Sequence, residues 1–261
     1  MDNVTSAVLA FSVARKLRTA YSGSAIRVRR SSDDTEQDIG FVANALDTAA
    51  LLAFCGAGDG FIVTRYDQSG HASAQNLTQA VASAQTQIVA SGAVITRGGK
   101  PYALAGNDDF EQVAASWATR PSAAYCCYAV QSEVGSSLLS AGTINGGTYG
   151  SIGVNGDTAS FKAAGQQPNL AVYVNGSLVA AAAGATRDTV HDSVSIGVPV
   201  IYRDHNINLA LANWDAYRTA YSTPTSFPMF DTEAERIIIT DAAEVAALES
   251  NMAAFYGVTL A

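Results

Sequence analysis

Short apolar runs separated by turns that contain glycine or asparagine fill most of this 261-residue chain. The clearest case is residues 169–182, NLAVYVNGSLVAAA, in which Asn175-Gly176 separates two apolar runs. Both central residues of a type I′ turn need positive φ, so Asn-Gly in this position predicts a β-hairpin. Similar runs recur from AIRVRR (25–30) to ERIII (235–239), with no linker rich in Pro or Gly and no repeat of fixed period. This pattern predicts one all-β sandwich.

The N-terminal segment shows a different spacing. Within residues 4–20, Val4, Val8 and Phe11 fall near the spacing of one helical face. We therefore predict a helical segment over residues 1–22, ahead of the strands.

The C-terminal segment also carries a helical pattern. Asp241 is a suitable N-cap with Glu244 three residues later. One apolar stripe follows before a glycine stop and contains Val245, Leu248, Met252 and Phe255. We predict a helix over residues 241–256 that closes a single sandwich domain spanning residues 23–261.

The composition excludes several classes of protein. Hydrophobic residues make up 48% of the chain, charged residues 15%, and the net charge is −8. A disordered chain needs low hydrophobicity and high charge, and a general nucleic-acid binder shows a basic footprint. The start, MDNVTSAVLAF, lacks the features of a signal peptide, and no apolar run approaches the ~18 residues of a membrane span. We expect a protein made in a cytoplasm that binds no nucleic acid and crosses no membrane.

The three cysteines, Cys55, Cys126 and Cys127, do not form a paired framework. Neighbouring residues of a strand point to opposite faces, which disfavours a disulfide between Cys126 and Cys127. We predict three buried thiols.

Basic and acidic side chains follow one another near the N-terminus. Residues 1–30 hold six basic side chains and one acidic side chain, and an acidic run begins at Asp33. The basic group could meet an acidic partner, or it could pair within the chain, which the short separation favours. We predict a buried structural network of bidentate ion pairs, rather than a ligand clamp, among Arg27, Arg29, Asp33 and Asp34.

The segment Tyr66-Asp67-Gln68-Ser69-Gly70 joins a strand end to a tight turn. Tyr66, Asp67 and Gln68 are candidates for contact with a sugar. The alternative, which we favour, is that Asp67 accepts backbone N–H bonds and braces the loop, because Asx turns do this in many proteins.

Four stretches together resemble a known family. They are LRTAYSGSAIRVRRSSDDTEQDIGF (17–41), FIVTRYDQSG (61–70), NLTQA (76–80) and ERIIITDAAEVAALESNMAAFYG (235–257). They resemble the catalytic-domain family of fungal α-L-arabinofuranosidase B, and still more its relatives in phage tail and virion proteins. The resemblance implies a concanavalin A-like, LamG-type jelly-roll sandwich over essentially the whole chain.

The resemblance also raises the question of catalysis. A retaining arabinofuranosidase needs two carboxyls roughly 5–5.5 Å apart. The family implies a glutamate nucleophile in a stretch that corresponds to residues 169–183, where this chain has no Asp or Glu. The family's acid/base is an aspartate later in the chain, and Asp215 is a weak candidate for it. Because one carboxylate cannot carry a double displacement, we expect that the chain is not an enzyme.

Other candidate sites are weaker. Trp214 and Tyr217 could stack on a sugar, although aromatic side chains more often lie in a core or interface. We expect no cofactor and no metal site, because the acidic and histidine residues around 188–205 have no recognised ligand spacing. Calcium at the edge of a sandwich remains an alternative, since exposed carboxylate oxygens suit it.

The favoured function is a bacteriophage virion protein of the tail, fibre or capsid surface, with a lectin-like fold. Its expected partners are other virion proteins, copies of itself and a host surface glycan. Few charges and only three lysines suit extensive interfaces, which disfavour Lys and Glu. The alternatives are an α-L-arabinofuranosidase-like glycoside hydrolase and a purely structural decoration protein.

Overall fold

A computed structural model describes residues 1–106, 109, 111, 120–132, 143–144, 147–148, 169–181, 186, 189, 192–210, 214–216 and 231–261. Strands dominate these residues, and the fold is an all-β sandwich, as predicted. The strands are β1 Ala7–Ser12, β2 Ile26–Arg30, β3 Glu36–Ile39, β4 Phe41–Val42, β5 Ala45–Leu46, β6 Gly60–Arg65, β7 Leu77–Thr78, β8 Gln87–Ala90, β9 Ala93–Val94, β10 Thr96–Arg97, β11 Lys100–Pro101, β12 Ala103–Ala105, β13 Ala124–Ser132, β14 Thr143–Ile144, β15 Gly147–Thr148, β16 Ala171–Val174, β17 Ser177–Ala180, β18 Val200–Ile207, β19 Trp214–Ala216 and β20 Asp231–Ile239. The α-helices are α1 Thr48–Cys55 and α2 Val245–Tyr256.

One antiparallel sheet of thirteen strands organises the described part of the chain. Its main path runs in the order β17-β16-β18-β13-β20-β12-β8-β6-β2-β3, and β1, β7 and β9 pair alongside it. The long strand β20 is central, because it pairs with β13 on one side and with both β1 and β12 on the other. Strands from the two ends of the sequence therefore meet in the middle of the sheet.

The predicted N-terminal helix is wrong. Ala7–Ser12 form β1, which runs antiparallel to β20. Every residue of β1 except Val8 is buried, so both faces of the strand are covered. A short strand that is apolar on both faces cannot be told from a helix by its periodicity. Residues 1–22 contribute a strand to the sheet, and the single-domain organisation over 23–261 stays a prediction.

Two other local predictions are confirmed. β16 and β17 form a hairpin whose turn residues Asn175 and Gly176 have φ of 50° and 84°. The C-terminal helix α2 follows a 3₁₀ turn that is capped by the side chain of Asp241, and it ends at Gly257 with φ of 71°. In both places the signal lies within a few residues of the structure that it specifies.

The main sheet buries apolar side chains on both faces. Cys127 of β13 lies in the cluster that includes side chains of α1 and α2, on what we call the helix face. Its neighbour Cys126 lies in the cluster on the opposite face. All three cysteines are buried thiols, as predicted. We call the Cys126 side of β13, β18 and β20 the polar face, for the reasons given below.

A carboxylate next to α2 holds the two ends of the chain together. Glu244 Oε1 accepts hydrogen bonds from the backbone N and the hydroxyl of Thr5, both at 2.8 Å. Its Oε2 accepts the equivalent pair from Ser6 at 3.0 and 2.7 Å. Burial raises the pKa of this carboxyl, but the four hydrogen bonds outweigh burial and lower the pKa to about 2.

We expect Glu244→Gln to lower the free energy of unfolding at pH 7 by about 1–2 kcal/mol, because the amide keeps only part of this bonding. A lowered native pKa stabilises the fold above the ordinary value of 4.5 and loses that effect as the pH falls towards 2. The difference between wild type and variant should therefore shrink between pH 5 and pH 2 in denaturant titrations. Glu36→Gln, on the exposed strand β3, is the control. An equal difference at every pH would contradict this account.

Candidate active site

Aromatic and charged side chains line up across the polar face. β13 lies between β18 and β20, and the register places Tyr128 opposite Tyr202 on one side and Arg236 on the other. The two tyrosine ring centroids are 5.6 Å apart, and the Arg236 guanidinium lies 4.5 Å from the centroid of Tyr128. In the next row, Cys126 lies opposite Asp204. Polar groups therefore occupy the middle of the sheet and not only its edges.

A β-bulge brings two further charges to this face. Ala129 pairs with Glu235 and Val130 pairs with Glu233, so Ala234 is an extra residue in β20. In a regular strand, residues three apart point to opposite faces, but the extra residue reverses this. Glu233 and Arg236 consequently lie on the same face, with Oε2 of Glu233 2.6 Å from NH2 of Arg236.

Two arginines and two glutamates form a buried ionic network there. Arg65, at the end of β6, contacts Glu111 Oε2 through Nε at 2.7 Å and Glu233 Oε1 through NH1 at 3.0 Å. The Thr86 hydroxyl donates to Glu111 Oε1. The side chains of Arg65 and Glu111 are 2% and 0% exposed. Burial raises the pKa of Glu111, while the charge of Arg65 opposes that rise.

Asp204 is a third buried carboxylate on the polar face. The hydroxyl of Tyr202 donates to Asp204 Oδ1 at 3.0 Å, and the hydroxyl of Tyr128 donates to Oδ2 at 3.2 Å. Two donors on two oxygens fix the orientation of the carboxylate. The polar face thus collects buried carboxylates, arginines and tyrosine hydroxyls.

A family model described as the catalytic domain of α-L-arabinofuranosidase B matches residues 2–133. The chain belongs to this family. The matched half of the chain contains β13, which is the middle strand of the polar face. No curated protein sequence matches the chain.

Solved structures of other proteins have the same fold as this chain. One is a glycoside hydrolase family 54 α-L-arabinofuranosidase soaked with a cyclic sulfate inhibitor, and another is an arabinofuranosidase complexed with arabinofuranosyl-α-1,2-xylobiose. A third is a glutamate-to-glutamine mutant soaked with 4-nitrophenyl α-L-arabinofuranoside. Each has 16% sequence identity and a TM-score of 0.58, and the match covers 96% of this chain. The chain spans 63% of the length of these solved chains.

The prediction that the chain is not an enzyme is contradicted by these comparisons. The matched family is defined by a catalytic domain, and the solved structures with this fold are arabinofuranosidases. The prediction relied on the lack of a carboxylate in residues 169–183. In the structure, Val172 in this stretch pairs directly with Asp204 of β18. A neighbouring strand therefore brings a carboxylate to a place where the stretch itself has none.

The loop that contains the predicted sugar contacts Asp67 and Gln68 is held by hydrogen bonds to the backbone. Asp67 Oδ1 accepts from the backbone N of Ala10 at 2.9 Å and of Ser69 at 2.8 Å. Gln68 Oε1 accepts from the backbone N of Leu17 at 2.9 Å, and Gln68 is fully buried. Burial raises the pKa of Asp67, although its backbone hydrogen bonds act in the opposite direction. These contacts support the bracing interpretation.

The remaining contact of this loop is at the surface. The Tyr66 hydroxyl donates to Asp38 Oδ1 at 2.7 Å, and Arg27 pairs with the same carboxylate. Tyr66 therefore belongs with the ion pairs of β2 and β3.

The predicted arginine–aspartate network exists as separate pairs at the surface. Arg27 pairs with Asp38, Arg29 with Asp34, and Arg30 with Asp33. The expectation of a buried network is not met, because the Asp34 side chain is 75% exposed and Arg27 and Asp38 are 43% and 39% exposed. The first of these pairs follows from the antiparallel register of β2 and β3, which places Arg27 opposite Asp38.

The other predicted site residues fall at or beyond the described part of the chain. The backbone of Trp214 and Asp215 lies in β19, which pairs with β14 in a three-stranded sheet. The side chains of both residues, and Tyr217 as a whole, lie outside the described residues.

Among the described residues, no group of three or more His, Cys, Asp or Glu side chains is arranged to hold a metal ion. No helix in the same part of the chain is long and apolar enough to cross a membrane.

Proposed function

We propose that the chain is a glycoside hydrolase that cleaves α-L-arabinofuranosides. The observation that carries this proposal is the family match over residues 2–133. The polar face supports it, because buried carboxylates, arginines and tyrosines lie together on the strands beside β13. A sandwich that served only as a scaffold would gain little from these groups, since burying charges carries a desolvation cost.

The chemistry assigns separate roles to two carboxyls. One protonates the oxygen of the departing group, and the other attacks or activates water at the sugar carbon. We assign the proton-donating role to Asp215, the carboxyl in β19. The ionic network of Arg65, Glu111, Glu233 and Arg236 has a supporting role, which is to link β6 and β20.

Two substrates with different leaving groups test this proposal. We expect wild type to release 4-nitrophenol from 4-nitrophenyl α-L-arabinofuranoside and arabinose from arabinofuranosyl-α-1,2-xylobiose. Asp215→Asn should slow the second reaction by about 100- to 10,000-fold, the usual contribution of acid–base catalysis. It should slow the first reaction less, because 4-nitrophenolate leaves without a proton.

Asp34→Asn is the control, since this carboxylate is largely exposed and forms a surface ion pair with Arg29. It should leave both rates unchanged. If wild type released neither product, the proposal would be wrong. Equal rates for Asp215→Asn and wild type would remove Asp215 from the mechanism.

The expected place in a bacteriophage virion, the self-association, the host glycan and the calcium site all stay predictions. None of the described contacts bears on them. They are compatible with hydrolysis, because a sandwich can carry a catalytic face while its loops meet other partners.

A further inference from the structure

A histidine and an arginine lie side by side on the helix face of β18. The register places His205 opposite Tyr125 of β13 and Ala171 of β16, and Arg203, two residues earlier, points to the same face. Nδ1 of His205 is in hydrogen-bond contact with NH1 of Arg203. A guanidinium can only donate, so Nδ1 accepts, and the imidazole in this contact is neutral.

Arg203 also connects the sheet to α2. Its Nε donates to Oε1 of Glu249 at 2.7 Å, and the side chains of Arg203 and Glu249 are 5% and 7% exposed. Glu249 lies within α2, so this buried ion pair links that helix to β18. A chain of contacts therefore runs from the His205 imidazole through the Arg203 guanidinium to α2.

Uncharged groups flank His205 on both neighbouring strands. Its ring centroid is 4.7 Å from that of Tyr125 on β13 and 5.3 Å from that of Tyr173 on β16. Cys127, also on β13, lies opposite Arg203, and burial raises the pKa of its thiol well above the ordinary value. Phenol rings and a thiol provide no carboxylate that could balance a positive charge on the imidazole.

The charged side chains on this part of the helix face make such a charge less favourable still. Among the described residues, Arg203 faces His205 from its own strand, and Glu249 faces it from α2 with Arg203 bound to its carboxylate. Burial, and secondly the charge of Arg203, lower the pKa of His205 from its ordinary value of 6.5. The folded chain therefore favours the neutral imidazole.

We propose that His205 is an acid sensor whose protonation weakens the attachment of α2 to the sheet. His205 is half-buried, so water can deliver the proton. A protonated Nδ1 is a donor that faces another donor, and two positive charges come into contact. The guanidinium of Arg203 then moves away, and its 2.7 Å contact with Glu249 breaks. Glu249 is left buried without its partner, which is a costly state for a carboxylate, and α2 opens more often.

The effect should occur between about pH 7 and pH 5. A group whose pKa is lowered by folding stabilises the fold above its ordinary pKa, and this effect is lost as the pH falls below 6.5 towards the lowered value. Two other polar attachments of the α2 region persist in this range. Glu244, with a pKa of about 2, stays ionised, and the hydroxyl of Tyr256 donates to Glu235 with a pKa that burial raises well above its usual value.

Hydrogen exchange of the wild-type chain, followed by mass spectrometry, is the direct test and needs no substrate. After correction for intrinsic rates, the protection of the α2 amides should fall by about threefold to tenfold from pH 7.5 to pH 5. The amides of α1 are the internal reference and should change less, because α1 packs beside β3 and β9, away from β18 in the sheet. Unchanged or higher protection of α2 at pH 5 would overturn the proposal, as would an equal loss in α1 and α2.

Two variants and a control assign the effect to its side chains. His205→Gln keeps an acceptor for Arg203 at every pH, so its α2 should have the same protection at both pH values. Glu249→Gln removes the charge that Arg203 binds, so its α2 should be less protected already at pH 7.5 and lose little more at pH 5. His71→Gln is the control and should behave as wild type, because Nδ1 of His71 accepts from the backbone N of Ser73 at an exposed position.

The variants can contradict the proposal in two ways. If His205→Gln lost as much protection of α2 as wild type, His205 would not be the sensor. If His71→Gln removed the pH dependence, the sensor would lie in the loop that holds His71. If a variant did not fold, the comparison of α1 with α2 in wild type would decide alone.

Discussion

Replacing Arg65 by methionine is expected to lower the free energy of unfolding by about 3–5 kcal/mol, which is the usual cost of removing one partner from a buried ion pair. Arg65 contacts both Glu111 and Glu233, and the variant removes the guanidinium that lies 2.7 Å from the buried Glu111 carboxylate. Methionine fills much of the same volume, so the loss of stability is caused by the missing charge and not by a cavity. Urea titrations at pH 7 measure it.

A surface pair provides the matched control. Arg27→Met breaks the pair with Asp38, in which both side chains are more than one-third exposed. This change should cost about 0–1 kcal/mol. The double variant Arg65→Met/Glu111→Gln should recover part of the loss, because it removes one of the uncompensated charges. Equal losses for Arg65→Met and Arg27→Met would contradict the view that the network holds the sheet together.

Asp67→Ala is expected to lower the free energy of unfolding by about 3 kcal/mol, because buried N–H groups lose their acceptor. The carboxylate accepts from the backbone N of Ala10 and Ser69 through Oδ1, and from Gln75 through Oδ2 at 3.1 Å. The first of these bonds ties the loop to β1. Thermal and denaturant unfolding monitored by circular dichroism would show the loss.

The same variant separates bracing from sugar contact. If Asp67 instead bound the substrate, Asp67→Ala would keep its stability and raise KM for an arabinofuranoside. Tyr66→Phe is the control, since it removes only the surface hydrogen bond to Asp38 and should cost less than about 1 kcal/mol.

The features of the fold that could be predicted are those with local causes. Asn175-Gly176 specifies its own turn, and Asp241 and Gly257 mark the ends of the α2 region. β1 could not be recognised, because pairing with β20 in the middle of the sheet buries both of its faces and removes the alternation of a half-buried strand.

The candidate site depends on contacts between distant parts of the sequence. Glu233 and Arg236 meet only because a bulge at Ala234 changes the direction of the side chains, and nothing in the local pattern marks this bulge. Asp204 entered the sequence analysis only within a group of possible metal ligands. Its two tyrosine donors come from its own strand and from β13, 76 residues away.

The mistaken expectation about catalysis has the same origin. That expectation considered only the carboxylates within residues 169–183, as if each strand supplied all of its own catalytic groups. In a sheet, a residue shares its surroundings with the residue across the ladder as much as with its neighbours in sequence. Val172 and Asp204 are such a pair, and the composition of residues 169–183 therefore did not exclude an acidic group on this part of the face.

Proton NMR of wild-type chain incubated with 4-nitrophenyl α-L-arabinofuranoside tests the central claim most directly. We expect that arabinofuranose is released and that the α anomer forms first, before it equilibrates in solution, because double displacement retains the configuration at C1. Absence of any released sugar would contradict the proposed activity. Release of the β anomer first would contradict hydrolysis by double displacement.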